Sequence, residues 1–435
     1  MIATLKIFAP IILYSISCIL IFAALTGKTE WILMFIVGLL PLRNVIEKLQ
    51  NYPLGKDMLD ILLVFALLSV FIQAMSNKDK ERESGFTAIH WISLAMIFYT
   101  FIAVINGSFY LEKSLIFSIG DRRVQAWKNF CVMPVLFFIT FAGAKDKKMV
   151  WRIVKVMCLS MILVDYYVGQ QVMWYRNIES RDKIHGTFAY LGPNEVAAFY
   201  NQYTIIMMSL FFYMRRGLKK FGLLILILIN LYIVIFLFSR AAYIALALGM
   251  FFLFLTKKKV LLIPLLLVAM FWQVALPEKV IQRIEMTTSD YNELNKSSES
   301  RIEVWRDSLD LFSENPIFGV GSGVFNRSGF VLGDTHNIYF KILAEQGLIG
   351  IMLFLSLLLC FFTKGCQLFR DSDDPLSKGL GLGFAIAIIV LGVNNFFGDR
   401  WTYMEVGGYM WVVAALVSRL HVMELQSREP KVMIS

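Results

Sequence analysis

His336 lies in "GDTHNIYFKILAEQG", where a polar, turn-rich stretch gives way to a long apolar run, and it is one of four histidines in 435 residues. An imidazole can accept a proton near neutral pH. Asp334, two residues earlier, can orient the ring, and Asn337 follows it. Thr335 has the character of an N-cap, which predicts that His336 opens the helix running to Gly347. The positive end of a helix disfavours imidazolium, so a neutral ring is expected there. An interfacial histidine without a chemical duty is the plainer alternative.

Two arginines add a second kind of chemistry. Arg240 is the one formal charge in "FGLLILILINLYIVIFLFSRAAYIALALGMFFLFL", residues 221–255. Arginine costs about 2.5–3.5 kcal/mol at the centre of a membrane helix. At a turn between two helices it either snorkels to water or serves an anion, and no carboxylate neighbours it in sequence. Arg301 stands in "SSESRIEVWRDSLDLFSENP". Ser300 and Glu303 have the spacing of a capping box, which predicts Arg301 in a first helical turn, where backbone N–H groups attract anions. Its planar fork can hold two phosphate oxygens at once. A solvated Arg301 paired with Glu299 or Glu303 is the alternative.

The same segment carries structural punctuation. Ile302, Trp305, Leu309 and Phe312 recur at helical spacing and predict the face that docks on the rest of the chain. Asn315-Pro316 ends that helix. "GVGSG" (319–323) lacks the Lys-Ser/Thr of a phosphate-binding loop and reads as a tight structural turn.

The elements that must position these groups are membrane helices. The chain is 58% hydrophobic and 17% charged, with mean hydropathy +0.65, well away from soluble composition. Apolar runs long enough to cross a bilayer become helices, because lipid offers the backbone no hydrogen bonds. The expected fold is all-α with about 12 spans, near 7–25, 29–44, 57–75, 86–106, 129–144, 149–170, 195–214, two within 221–255, 259–276, 338–363, 379–397 and 404–420. The expected organisation is N-terminal membrane helices (1–276), an outer loop with short helices (277–337), and C-terminal membrane helices with a short tail (338–435). The apolar N-terminus reads as a retained helix rather than a removed signal.

Basic clusters at Lys78/Lys80/Arg82, Lys145/Lys147/Lys148, Arg215/Arg216/Lys219/Lys220, Lys257/Lys258/Lys259 and Lys364/Arg370/Lys378 predict cytoplasmic loops. The same alternation puts Arg240 and the 277–337 loop outside; the early spans leave the side of the N-terminus open. The net charge of +10 fits this placement and gives no support for nucleic-acid binding. Five cysteines, scattered and without C-x-x-C spacing, argue against a zinc site and a disulfide framework. Asp371-Ser372-Asp373 reads as a solvated turn and His90 as part of an apolar run, with His421 at a cytoplasmic helix end. His185, in "KIHGTFAYLGPNEVAAFY", is a further polar candidate, and Asn194 is expected to cap the next helix.

Taken together, "FLFSRAAYIALALG", "SRIEVWRDSLDLFSENPIFGVGSGVF" and "THNIYFKILAEQGLIG", preceded by "GTFAYLGPNEVAAFY", resemble the O-antigen ligase and polymerase superfamily of bacterial glycosyltransferases. The resemblance covers roughly residues 185–365. It implies a multi-pass inner-membrane fold of the GT-C type, with the active site facing the periplasm. It implies an undecaprenyl-diphosphate-linked glycan as donor and a sugar hydroxyl as acceptor, on lipid A–core for a ligase or on a lipid-linked saccharide for an O-antigen or exopolysaccharide polymerase. No metal ion or other cofactor is implied. His336, Arg240 and Arg301 match the family's catalytic positions, the arginines holding diphosphate; Asn337, Asp334, Tyr339, His185 and Asn194 are further candidates for supporting roles. The chemistry agrees with the residues: arginines can stabilise the departing diphosphate, and a neutral histidine can activate the acceptor for inverting displacement. A transporter or flippase of lipid-linked sugars is the competing class, disfavoured because the polar groups gather at one face rather than near the midplane.

Overall fold

A computed structural model describes residues 2–76, 86–112, 121–175, 177–285, 293–324 and 335–428. The helices follow in order: α1 (Ile2–Leu25), α2 (Thr29–Leu39), α3 (Arg43–Ile46), α4 (Met58–Ser76), α5 (Ala88–Tyr110), α6 (Arg122–Gly143), α7 (Lys147–Trp174), α8 (Pro193–Tyr213) and α9 (Leu218–Phe236). They continue with α10 (Arg240–Lys257), α11 (Leu262–Met270), α12 (Trp272–Ala275), α13 (Glu278–Glu285), α14 (Glu293–Glu314), α15 (Ile338–Asp371), α16 (Pro375–Phe396) and α17 (Met404–Arg428). Every regular element among the described residues is helical, as the composition requires. Asp334 and the Lys78/Lys80/Arg82 cluster lie outside the described residues.

The expected dozen spans becomes eight among the described residues that are long and apolar enough to cross a membrane: α4, α5, α6, α9, α10, α15, α16 and α17. The other expected spans stay outside that set for different reasons, the described apolar stretch of α1, Ala9–Leu25, being too short. α2 has only 11 residues, about 16 Å at 1.5 Å per residue, and the 259–276 run breaks into the short helices α11 and α12. α7 and α8 are long but carry polar groups, and in α8 those groups face protein. Asn201, Gln202, Thr204 and Ser209 are all buried; Asn201 Nδ2 donates to the Ala242 carbonyl at 2.9 Å, and Ser209 Oγ donates to the Gly379 carbonyl at 2.8 Å. α8 packs between α10 and α16, and with α17 these form the centre of the bundle.

The loop helix α14 corrects two expectations. It begins at Glu293, so Ser300 lies inside it and Arg301 is not in its first turn. Its buried face is Val304, Ser308 and Leu311, while Ile302 and Leu309 are exposed and Trp305 is half-buried. A second stripe at helical spacing won because its one polar member is satisfied within the helix: Ser308 Oγ donates to the Val304 carbonyl at 2.7 Å.

α14 stops at Glu314, as Asn315-Pro316 predicts, and the glycine turn then docks into a break in α15. Gly347 leaves helical geometry at φ 63° and ψ −160°, which frees nearby carbonyls. Val320 N donates to Ala344 O at 3.0 Å and Gly321 N to Glu345 O at 2.9 Å, so the turn supplies the donors the break removed. On its other side Ser322 N donates to Ala103 O of α5 at 2.8 Å. Gly321 has φ +104°, and a Cβ there would fall 1.9 Å from the Gly107 nitrogen. Gly321→Ala is therefore expected to destabilise the protein by more than about 2 kcal/mol, from strain alone. The check is a melting curve of purified protein in detergent; an unshifted midpoint would contradict this docking.

Candidate active site

The site is built around the link between α9 and α10. Phe238 is fully buried with φ +50°, and Ser239 is the N-cap of α10, so Arg240 is the helix's first residue. The helix start expected at Arg301 occurs here instead. The Phe238 carbonyl accepts from Arg181 NH1 at 2.6 Å and from Arg283 Nε at 3.4 Å. Two further guanidinium groups thus fix the turn that presents Arg240. Arg181, buried in the short 3-10 helix Ile178–Lys183, also donates from NH2 to Asn194 Oδ1 at 2.9 Å. Asn194 is consequently a tether for Arg181 rather than the expected cap, since α8 starts at Pro193 with Gly192 as its N-cap.

The charges converge. Burial first, then the Arg283 and Arg240 charges, hold the Arg181 guanidinium below the usual arginine range, against Asp182. Burial does the same to Arg283, and burial followed by the Arg400 charge to Arg301. The charges of Arg283 and Arg301 both act on Arg240. Arginine keeps its proton through such shifts. The arrangement therefore remains a cluster of cations drawn from the 3-10 helix, α10, α13, α14 and the α16–α17 link.

The His336 turn is tied to this cluster through α14. The φ of His336 is +49°, a left-handed conformation uncommon outside glycine, to which Asn, Asp and His are the better-adapted exceptions. The cap of α15 is Asn337, not Thr335: Asn337 Oδ1 accepts from Tyr339 N at 3.0 Å and Phe340 N at 3.4 Å. Thr335 instead braces the turn, its Oγ1 donating to Asn337 O at 2.7 Å. The turn is tied to the arginine helix, because Trp305 Nε1 donates to the Thr335 carbonyl at 3.0 Å and its ring stacks on Phe340 with centroids 5.3 Å apart. Trp305 lies one turn from Arg301, so one helix positions both groups.

The remaining candidates take structural places. Tyr339 turns into the bundle, its hydroxyl donating to Gly392 O at 2.9 Å. His185 Nδ1 meets the Leu191 carbonyl at 2.9 Å and holds the loop before α8. At the far end, His421 Nε2 lies 3.0 Å from Asp371 Oδ2, so the Asp371 of the expected solvated turn is clasped while Asp373 stays exposed. All five cysteines are free thiols.

Beside the site opens a cavity of about 540 Å³, lined among others by Arg123, Trp127, Tyr190, Lys341, Glu345 and Thr402. Aromatic faces with convergent polar groups make a surface suited to a polar ligand with apolar faces, such as a sugar. Its wall and the arginine cluster share the α16–α17 link. Within that link Asp399 is fully buried and accepts from Trp401 N, Thr402 N and Thr402 Oγ1; Lys341 Nζ lies 3.2 Å away. Burial alone would raise its carboxyl, but Lys341 and the Thr402 and Trp401 donors outweigh burial and hold it below the usual range. The next residue, Arg400, is buried and paired with Glu195.

Arg181, Arg283, Arg400 and the cavity were missed from sequence. Arg400 had half of the signal used for Arg240, an arginine in a short link between two apolar helices, but with a carboxylate, Asp399, beside it.

A bundle of membrane-length helices with guanidinium groups gathered at one end, a histidine turn tied to them through Trp305 and a cavity adjoining is the framework of a multi-pass membrane protein. Residues 222–355, less than half of the chain, match the family model described as O-Antigen ligase, which supports the O-antigen ligase/polymerase superfamily that the motifs resemble. The match contains Arg240, Arg301 and His336 and supports a membrane glycosyltransferase-type enzyme of that superfamily. No curated protein matches the chain.

Proposed function

We propose that this protein transfers a glycan from undecaprenyl diphosphate to a sugar hydroxyl at the periplasmic face of the inner membrane, in the manner of an O-antigen ligase with lipid A–core as acceptor. The observation that carries the reading is the convergence of Arg240, Arg301, Arg181 and Arg283 on one end of the bundle. A diphosphate leaving group gains negative charge as its bond to the anomeric carbon breaks, and preorganised cations stabilise that charge. Arg240 and Arg301 hold the diphosphate. Arg181 and Arg283 hold the backbone that aims Arg240. His336 takes the proton of the acceptor hydroxyl as oxygen attacks the anomeric carbon from the side opposite the diphosphate, with inversion. The cavity beside Lys341 and Thr402 receives the acceptor sugar.

The test incubates purified protein with lipid-linked glycan and either lipid A–core or a lipid-linked repeat unit. Glycan on lipid A–core is the expected product. Lengthened lipid-linked chains with no transfer to core would replace the ligase reading by polymerase. Movement of lipid-linked glycan across vesicles without new glycosidic bonds would replace both by transport.

A further inference from the structure

The opposite end of the bundle holds a feature that glycan transfer does not use. The α8–α9 link, the start of α7 and the start of α16 enclose a groove of about 740 Å³. Lys147, Lys148, Arg215, Arg216, Lys219 and Lys220 line it, with Asp374 as the one carboxylate. Asp374 is occupied in starting α16: its Oδ2 accepts from Ser377 N and Ser377 Oγ, both at 3.0 Å. Lys147 is held by Glu424 at 2.6 Å, and Lys220 donates to the Met214 carbonyl at 3.1 Å. Among the described residues, no carboxylate forms an ion pair with Lys148, Arg215, Arg216 or Lys219. The rest of the wall is apolar, including Trp151 and Leu376, and Leu218 is 86% exposed.

Basic residues beside membrane helices follow from the general bias of cytoplasmic loops. That bias calls for charge on each loop; it does not call for two separate connections to aim their charges into one concavity. Nor does it call for an apolar wall continuing from that concavity onto the helix flanks. We propose that this groove binds an anionic phospholipid. Its phosphate lies among Lys148, Arg215, Arg216 and Lys219, and its acyl chains run along Trp151 and Leu218. Basic pockets between membrane helices recognise such headgroups through the same charges that attract them to an anionic leaflet.

The experiment uses the full chain, purified and delipidated, then placed in nanodiscs of phosphatidylcholine with either cardiolipin or phosphatidylglycerol. Native mass spectrometry reads the lipid retained. Anionic lipid is expected to remain bound in preference to phosphatidylcholine. Retention should fall by about fivefold for each charge removed in Lys148→Gln, Arg215→Gln, Arg216→Gln and Lys219→Gln, singly and combined. Lys148→Arg with Lys219→Arg should retain the lipid, separating charge from folding. Equal retention of both lipid classes, or retention unchanged in the combined variant, overturns the proposal. So does saturable binding of inorganic phosphate or pyrophosphate in detergent without a preference for anionic lipid, which assigns the groove to a soluble anion. Glycan transfer is not the readout, so failure here leaves the proposed activity untouched.

Discussion

Glycan transfer falls by about 10²–10³-fold when Arg301 is replaced by lysine, the loss expected from removing one preorganised donor to a developing anion, and Arg240→Lys behaves alike. The charge survives both substitutions, so a deficit of that size isolates the planar, two-pronged contact that only a guanidinium makes. The two positions differ in what they are tied to. Arg240 starts α10 behind a turn clamped by Arg181 and Arg283, so a lysine there still meets the N–H groups of a helix start. Arg301 lies within α14 and contributes its side chain alone. The loss at Arg301 should therefore be the larger. Initial rates with purified variants and lipid-linked glycan measure both; wild-type rates from Arg301→Lys would remove it from the diphosphate site.

His336→Ala is expected to lower transfer by about 10²–10⁴-fold, the usual worth of a positioned general base, while diphosphate binding persists. A structural role would show differently. His336 occupies a left-handed turn at φ +49°, so alanine there also strains the backbone. His336→Asn, which tolerates that conformation better, separates the two causes: transfer should stay lost while the melting temperature recovers. Substantial transfer by His336→Asn would end the base assignment.

The sequence made the helices legible because lipid leaves a long apolar run one option. The turn at Arg240, the end of α14 at Asn315-Pro316 and the close-packed glycine turn were readable for similar reasons, each being a local constraint with one solution. Helix starts were less legible. Ser300-x-x-Glu303 has the spacing of a capping box, yet α14 already runs through it from Glu293. At α15 two polar residues competed for the cap, and Asn337 won because Thr335 was engaged in the turn itself. The buried face of α14 was misphased by a buried serine whose hydroxyl is satisfied inside the helix. The partners of Arg240 were out of reach for a different reason. Arg181 lies 59 residues before it and Arg283 43 after, and only the folded chain shows them meeting at Phe238.

The crowding of like charge at that end bears on turnover. Without its substrate, the protein holds guanidinium groups that raise one another's energy. On the proposed reading, a diphosphate relieves that tension whether or not a glycan is still attached. On the same reading, the grip that helps the bond break must also be loosened before the next donor enters, so a burst of transferred glycan ahead of a slower steady rate is the expected result, set by departure of the carrier.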